Sequence, residues 1–233
     1  MNAFSHRAFN IYFFTNTFSL LGTWVQKVGL GWLAWQITES TFWTSLVALS
    51  IMAPAGILGP VFAVYAERWD MRRAMLLAKS IITLISILIF LFQIFEMHSL
   101  QSLLLLSFAL GVLNAVHHPI RLVFISLIVP KSYLASAIGL NSVSWSMSRI
   151  VGPGIAGVTI ATFGLDLTFG LAALLILPFI IVLIWLPLKN RELENENTEK
   201  FFTRLRNGWM TALNTPIIFM CLSIVALNSF FVR

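Results

Sequence analysis

The sequence predicts an all-α, polytopic membrane protein: a six-helix bundle built of two inverted three-helix repeats, followed by the start of a seventh helix. Three observations carry that prediction. Uncharged stretches long enough to cross a bilayer recur along the chain. Charged residues make up 10% of the 233 residues and hydrophobic ones 58%, against roughly 25% charged in soluble domains. The Lys and Arg outside the apolar runs fall in alternate loops. A soluble fold of this size leaves much of its surface in water and has no means of hiding so much apolar area.

A spanning helix takes about 20 mostly apolar residues. Arg7 to Lys27 encloses 19 uncharged residues and the apolar character continues through Trp35, which predicts a first helix over 9–36. Glu39 to Glu67 encloses 27, predicting 41–65. Lys79 to Glu96 encloses 16, and extension back to Met75 gives 75–95, with Lys79 expected to snorkel to the inner surface. His98 to Arg121 encloses 22, within a helix over 100–128. The stretch Ala135 to Phe163, interrupted only by Arg149, predicts 134–163, and the 22 residues between Asp166 and Lys189 predict 167–187. A last run from Pro216 predicts 216–232. Successive ten-residue segments show no period-two alternation, which argues against a β-barrel.

The domain division follows: a six-helix bundle over 1–187, a cytoplasmic linker over 188–212, and the truncated start of a second bundle over 213–233. The linker carries Glu192, Glu194, Glu196 and Glu199, then Phe201, Phe202, Leu205 and Trp209 at roughly helical spacing, which reads as a short helix on the membrane surface. With the N-terminus inside, the outer loops hold Glu39, Glu96 and Asp166 and no Lys or Arg, while the inner loops hold Arg68, Arg72, Arg73, Lys131 and Lys189. That is the positive-inside pattern of a cytoplasmic (inner) membrane protein. The net charge of +6 therefore fits a lipid bilayer partner and not nucleic acid. Cys221 stands alone, so no disulfide framework exists, and the first apolar run is too long for a cleaved signal peptide.

Two landmarks repeat at nearly one offset. Lys27 and Arg121 lie 94 positions apart, and Gly59-Pro60 and Gly152-Pro153 lie 93 apart. This is the spacing expected if helices 1–3 and 4–6 form the inverted repeats common in transporters. Polar residues at membrane depth, Asn16, Gln26, Lys27, Asn114, Arg121 and Asn141, with His117 and His118, mark a substrate cavity of positive bias. Lys27, Arg121 and Arg149 either favour an anionic substrate or hold buried pairs. In helix 5, Arg149 precedes Gly152-Pro153-Gly154 and Gly157, a set suited to a close-packed seam that bends. No carboxylate falls within the six helices. The sequence has no HExxH, GxSxG or phosphate-loop motif, and His117-His118 lacks metal-ligand company; no catalytic residue, metal or cofactor is expected.

The loop after helix 2 runs Ala63-Val64-Tyr65-Ala66-Glu67-Arg68-Trp69-Asp70-Met71-Arg72-Arg73. Arginine forks can bridge carboxylates and helix-end carbonyls, so the cluster can latch helix ends. It resembles the G-x-x-x-D-R-x-G-R-R signature of the major facilitator superfamily, with Ala63 at the first glycine, Glu67 at the aspartate, Arg68 at the arginine and Asp70 at the second glycine. Met71 stands where an arginine is usual, and Arg72 and Arg73 follow. An acid at that second glycine, together with Gly22-Thr23-Trp24-Val25-Gln26, Pro119-Ile120-Arg121, Leu127-Ile128-Val129-Pro130, Leu140-Asn141-Ser142 and Arg149-Ile150-Val151-Gly152-Pro153, is similar to the branch that contains the enterobactin exporter.

The resemblance implies an exporter-type secondary transporter moving a small organic molecule, a siderophore or drug-like compound, by alternating access between two six-helix halves. It assigns Ala63, Glu67, Arg68, Asp70, Arg72 and Arg73 to a conformational latch, and Arg149, Gly152, Pro153 and Gly157 to the exporter-type helix 5 motif. Only one half and the start of a seventh helix are present, so a truncated non-transporting fragment stays open as an alternative, as does a six-helix channel or membrane scaffold. A second half-transporter chain would then be a partner if the stop is genuine.

Overall fold

The computed structural model describes residues 3–66, 70–97 and 99–186, with Met210, Phe219, Met220 and Ile224. All but those last four belong to the first of two compact units, Met1–Arg191, the second being Glu192–Arg233. Apart from those four residues, the predicted linker and seventh helix lie outside the described residues, as do Glu67 and Arg68.

Five α-helices make the first unit: α1 (Arg7–Thr38), α2 (Thr41–Ala66), α3 (Met71–Ile94), α4 (Leu100–Ile128) and α5 (Leu134–Trp185). Among the described residues there is no strand. Local chemistry sets several ends. Asp70 caps α3 by accepting from the backbone N–H groups of Arg72 and Arg73, both at 3.1 Å. Ser99 and Ser102 make a reciprocal capping box at the start of α4. Short connections make successive helices reverse direction.

The sequence predicts separate fifth and sixth helices, 134–163 and 167–187. The structure joins them in α5, whose two arms, 134–163 and 165–185, meet at Gly164 with φ 81° and ψ −179°. A side chain strongly disfavours that conformation, so glycine replaces a loop. Thr168 donates to Thr159 Oγ1 across the turn at 3.1 Å. The two arms reverse direction: Ala137 and Leu183 belong to one apolar cluster, while Leu165 and its neighbour Ile160 belong to another. Six crossings are thus preserved. Helices α2 to α5 are long and apolar enough to cross a membrane. Helix α1 has the length, at 32 residues, but Asn10, Asn16, Thr23 and Gln26 lower its hydropathy.

Helix α1 packs on both arms of α5, α2 packs on α4, and α3 lies against α4 and α5. A two-fold exchange of segments 1–3 with 4–6 carries the two α1–α5 packings into the α2–α4 and α3–α4 packings, as the inverted repeat requires. Gly152 is buried against Trp24 of α1, whereas Gly59 has no atom near its missing side chain, so those two landmarks do not share an environment.

Along the bundle axis the interior is layered. One end is an apolar cluster around Phe9, Met75, Phe124, Val129, Ala137 and Leu183. The other is built on Leu30, Leu33, Val47, Ile89, Leu103 and Phe169. The end formed by the starts of α1, α3 and α5 carries Arg7, Arg72, Arg73 and Lys131. The opposite end carries Glu39, Glu96 and Asp166 without Lys or Arg. The basic and acidic loops of the sequence therefore sit at opposite poles. Between the two apolar ends lies a polar layer.

The α2–α4 seam depends on Gly111. A Cβ there would stand 2.5 Å from the Ser50 carbonyl oxygen and 2.8 Å from that of Ile51. Pro54 has no N–H to offer Ser50, so this carbonyl is left for a close neighbour. Gly111→Ala is expected to lower unfolding free energy by about 1–3 kcal/mol through forced separation of the helices. Gly59→Ala, at an open position, is expected to leave thermal unfolding in detergent unchanged or slightly raised.

Candidate functional site

The polar layer starts from one spacing. On α1, Tyr12, Asn16, Ser19, Thr23 and Gln26 fall in alternating steps of four and three, which is one helix face, and all are buried. On α3 the same rhythm gives Lys79, Thr83 and Ser86, and on the first arm of α5 it gives Asn141, Ser144 and Ser148. Helix α4 adds His117 and Arg121. These faces meet. Asn16 Nδ2 donates to Asn141 Oδ1 at 3.4 Å, the Thr17 and Ser144 hydroxyls lie 2.6 Å apart, and Ser86 donates to Gln26 Oε1 at 3.0 Å. Thr23 returns its hydroxyl to the Ser19 carbonyl of its own helix at 2.8 Å.

The charges in this layer have one sign. Arg121 is 3% exposed, with its guanidinium carbon 4.9 Å from the ring centre of Trp145. Lys27 Nζ lies 4.3 Å from the ring centre of Trp24. The two indoles meet edge to face with centres 6.1 Å apart, and His118 stands edge-on to Trp145 at 5.9 Å. A line of cation, indole, indole, cation thus crosses from α1 through α5 to α4, in contacts each cation gains from the ring quadrupole.

Lys79 corrects an expectation. It does not snorkel to the surface: it is 1% exposed, its ammonium donates to Ser19 Oγ at 2.9 Å, and it lies 5.5 Å from the Phe179 ring centre. The reason is register, since Lys79 shares a face with Thr83 and Ser86 and so points where α1 is polar. The described acids Glu39, Asp70, Glu96 and Asp166 are all exposed. Among the described residues the ion pair is Arg73–Asp70, exposed and at 3.3 Å. No described carboxylate therefore neutralises Arg121 or Lys79, and the alternative of buried pairs finds no described partner.

The layer is also rich in unspent donors. Tyr12 Oη, Trp24 Nε1, Gln26 Nε2, and Arg121 Nε and Nη1 are buried without a hydrogen-bond partner, as are His117 Nε2 and Ser148 Oγ. Such groups cost on the order of 1–3 kcal/mol each when left unmade, and the layer also holds the unpartnered acceptor Asn16 Oδ1.

The expected cavity residues divide. Asn16, Gln26, Arg121 and Asn141 are buried together, Lys27 is half-buried beside them, and half-buried Asn114 bonds back to Leu110 O at 2.7 Å. Of the helix 5 motif, Gly152 touches Trp24 and Pro153 is half-buried. Arg149 and Gly157 are exposed, and no atom stands near the missing side chain of Gly157. Ser148 and Gly152 face α1, which turns Arg149 about 100° away from the polar layer.

After helix 2, Ala63 is exposed and Arg72 clasps the far end of α5. Its Nε donates to Leu183 O at 3.2 Å, and Nη2 donates to Ile184 O at 2.9 Å and to Leu186 O. A helix C-terminus leaves its last carbonyls unsatisfied and partly negative, and one guanidinium answers both needs.

The model of the family described as transmembrane secretion effector matches residues 1–229. The chain belongs to the transmembrane secretion effector family. Of curated proteins, the staphyloferrin A transporter of Staphylococcus aureus (strain NCTC 8325 / PS 47) is 28% identical over 179 residues, covering 76% of this chain and 45% of the relative. A protein of Bacillus subtilis (strain 168) named as the uncharacterized MFS-type transporter YfiS is 27% identical over 213 residues, covering 88% of this chain and 49% of its own length. The chain spans about half the length of these relatives. No solved structure matches. Membership of this transporter family, and not of an enzyme family, agrees with the major-facilitator resemblance of the loop after helix 2.

Within this secretion effector chain, sequence reasoning missed Tyr12, Trp24, Lys79 and Trp145 as members of the site. The four-three polar rhythm on α1 and α3 was the available signal; the two indoles carry none, because Trp is common in membrane helices. The Arg72 clasp yields a direct check. Arg72→Ala is expected to lower unfolding free energy by about 1.5–3 kcal/mol, since a charged donor is lost to several carbonyls. Arg73→Ala, which removes only an exposed pair, is expected to shift it by less than about 0.5 kcal/mol in the same thermal scans.

Proposed function

We propose that this chain is the N-terminal half of an exporter-type secondary transporter that moves a small organic molecule, a siderophore or drug-like compound, by alternating access. The observation that carries the reading is the donor-rich polar layer inside an otherwise apolar bundle, in a chain of the secretion effector family. Polar and charged groups at membrane depth are costly and mark a substrate path. The relatives named as transporters support transport.

In this reading 1–187 is the first bundle, 188–212 a cytoplasmic linker, and 213–233 the start of the second bundle. The N-terminus and the basic end of the bundle face the cytoplasm across the inner membrane. Asn16, Gln26, Lys27, Asn114, Arg121 and Asn141 line the substrate path. Arg149, Gly152, Pro153 and Gly157 form a helix 5 seam whose exposed side meets the other half. Ala63, Glu67, Arg68, Asp70, Arg72 and Arg73 form the latch, in which the Arg72 clasp on α5 is the element that holds helix ends together.

The test is efflux. Deleting the complete gene is expected to raise cellular retention of a cognate compound from a broad panel that includes siderophores. The wild-type gene product restores export, and Arg121→Gln, at unchanged membrane abundance, restores less than about a tenth of it, the cost of one buried charged contact. Unchanged retention across the panel on deletion would reject the exporter reading. Activity of the 233-residue chain expressed without a second half would instead show a half-transporter that dimerises.

A further inference from the structure

Arg121 and Lys79 are both more than nine-tenths buried, and Tyr12 joins their surroundings: its ring centre lies 5.7 Å from that of Phe179, which Lys79 Nζ approaches to 5.5 Å, and 5.7 Å from that of Phe124, three residues after Arg121 on α4. Lys79 has three protons to donate, and the structure shows one partner, Ser19 Oγ at 2.9 Å. Arg121 keeps Nε and Nη1 unpartnered. Tyr12 Oη, from the facing stripe of α1, is buried and unpartnered too. Every one of these atoms can donate a hydrogen bond. Two like charges in a medium of low dielectric repel, and each has lost its hydration. Water can accept the protons but cannot cancel the repulsion. An anion does both, and a carboxylate fits best: its two oxygens can accept from Arg121 and Lys79 together and retain lone pairs for further donors. Beside Arg121, Trp145 and Trp24 present an edge-to-face apolar corner, with Trp24 Nε1 also unpartnered.

The geometry points to an anion site in which Arg121 and Lys79 hold the carboxylate of a small organic acid, with the Trp24–Trp145 corner covering its carbon body. This deepens the exporter reading, on which it rests for the word substrate. Binding itself is measurable without transport.

The experiment uses the full chain in lipid nanodiscs, with para-fluorobenzoate and the neutral para-fluorobenzyl alcohol followed by fluorine NMR. Empty nanodiscs subtract partition into lipid. The acid is expected to bind saturably and at least about tenfold tighter than the alcohol. Arg121→Gln and Lys79→Gln are each expected to weaken the acid at least about tenfold, with Arg121→Lys losing less and Lys131→Gln, at an exposed position, nothing. Equal binding of acid and alcohol would overturn the site, as would full binding by a folded Arg121→Gln chain. Sulfate binding as tightly as the organic acid and displacing it would overturn the organic assignment in favour of an inorganic anion. If the glutamine variants do not fold, the acid-to-alcohol ratio on the wild-type chain decides alone. Acid binding without efflux by the complete gene product would sink the exporter reading and leave this site; efflux with no preference for acids would do the reverse.

Discussion

The constraint on which the structure depends is that hydrocarbon offers no hydrogen bonds. Backbone groups must be satisfied inside each helix, and polar side chains must turn toward one another. This inverts the amphipathic logic of soluble helices. The face of α1 that carries Tyr12, Asn16, Ser19, Thr23 and Gln26 is buried, while Phe14, Phe18, Trp32 and Trp35 are exposed. The helix with the weakest claim to a bilayer by hydropathy is therefore held to its neighbours by many polar contacts. Pro54 inside α2 obeys the same rule, since the Ser50 carbonyl it frees lies in the packed seam beside Gly111.

Layering divides the work between the ends and the middle. The two apolar clusters fix the crossings at each pole and need no specific partner. The middle is expensive: it holds buried cations with no described acid and several unspent donors. A bundle stable enough to carry such a layer must gain elsewhere, and close backbone seams such as Gly111 on α2 and Gly152 on α1 are where it does so. At the basic pole Arg72 adds a polar tie that does not penetrate the core. A tie of that kind can be released without exposing apolar surface, which suits an end that moves.

Much of the fold was legible because lipid imposes length and charge rules on sequence. Uncharged intervals located the six crossings to within a few residues, and loop charge sorted them into two poles. The junction at Gly164 was not legible, since a glycine between two apolar runs reads equally as a loop residue. Lys79 was misread because distance from a helix end does not say which face a residue occupies; Thr83 and Ser86 did. Arg149 is the converse, a charge at membrane depth that the register turns away from the layer. Of the residues chosen for polarity alone, Asn16 and Asn141 bond to one another and Gln26 and Arg121 are buried. Their aromatic companions were not foreseen, because a π-face that holds a cation looks in sequence like any other apolar side chain.

The single-residue turn at Gly164 ties the two arms of α5 at one depth. A shift of either arm along the bundle axis drags the adjoining end of the other with it, so at the acidic pole the last two segments of the bundle are mechanically one piece.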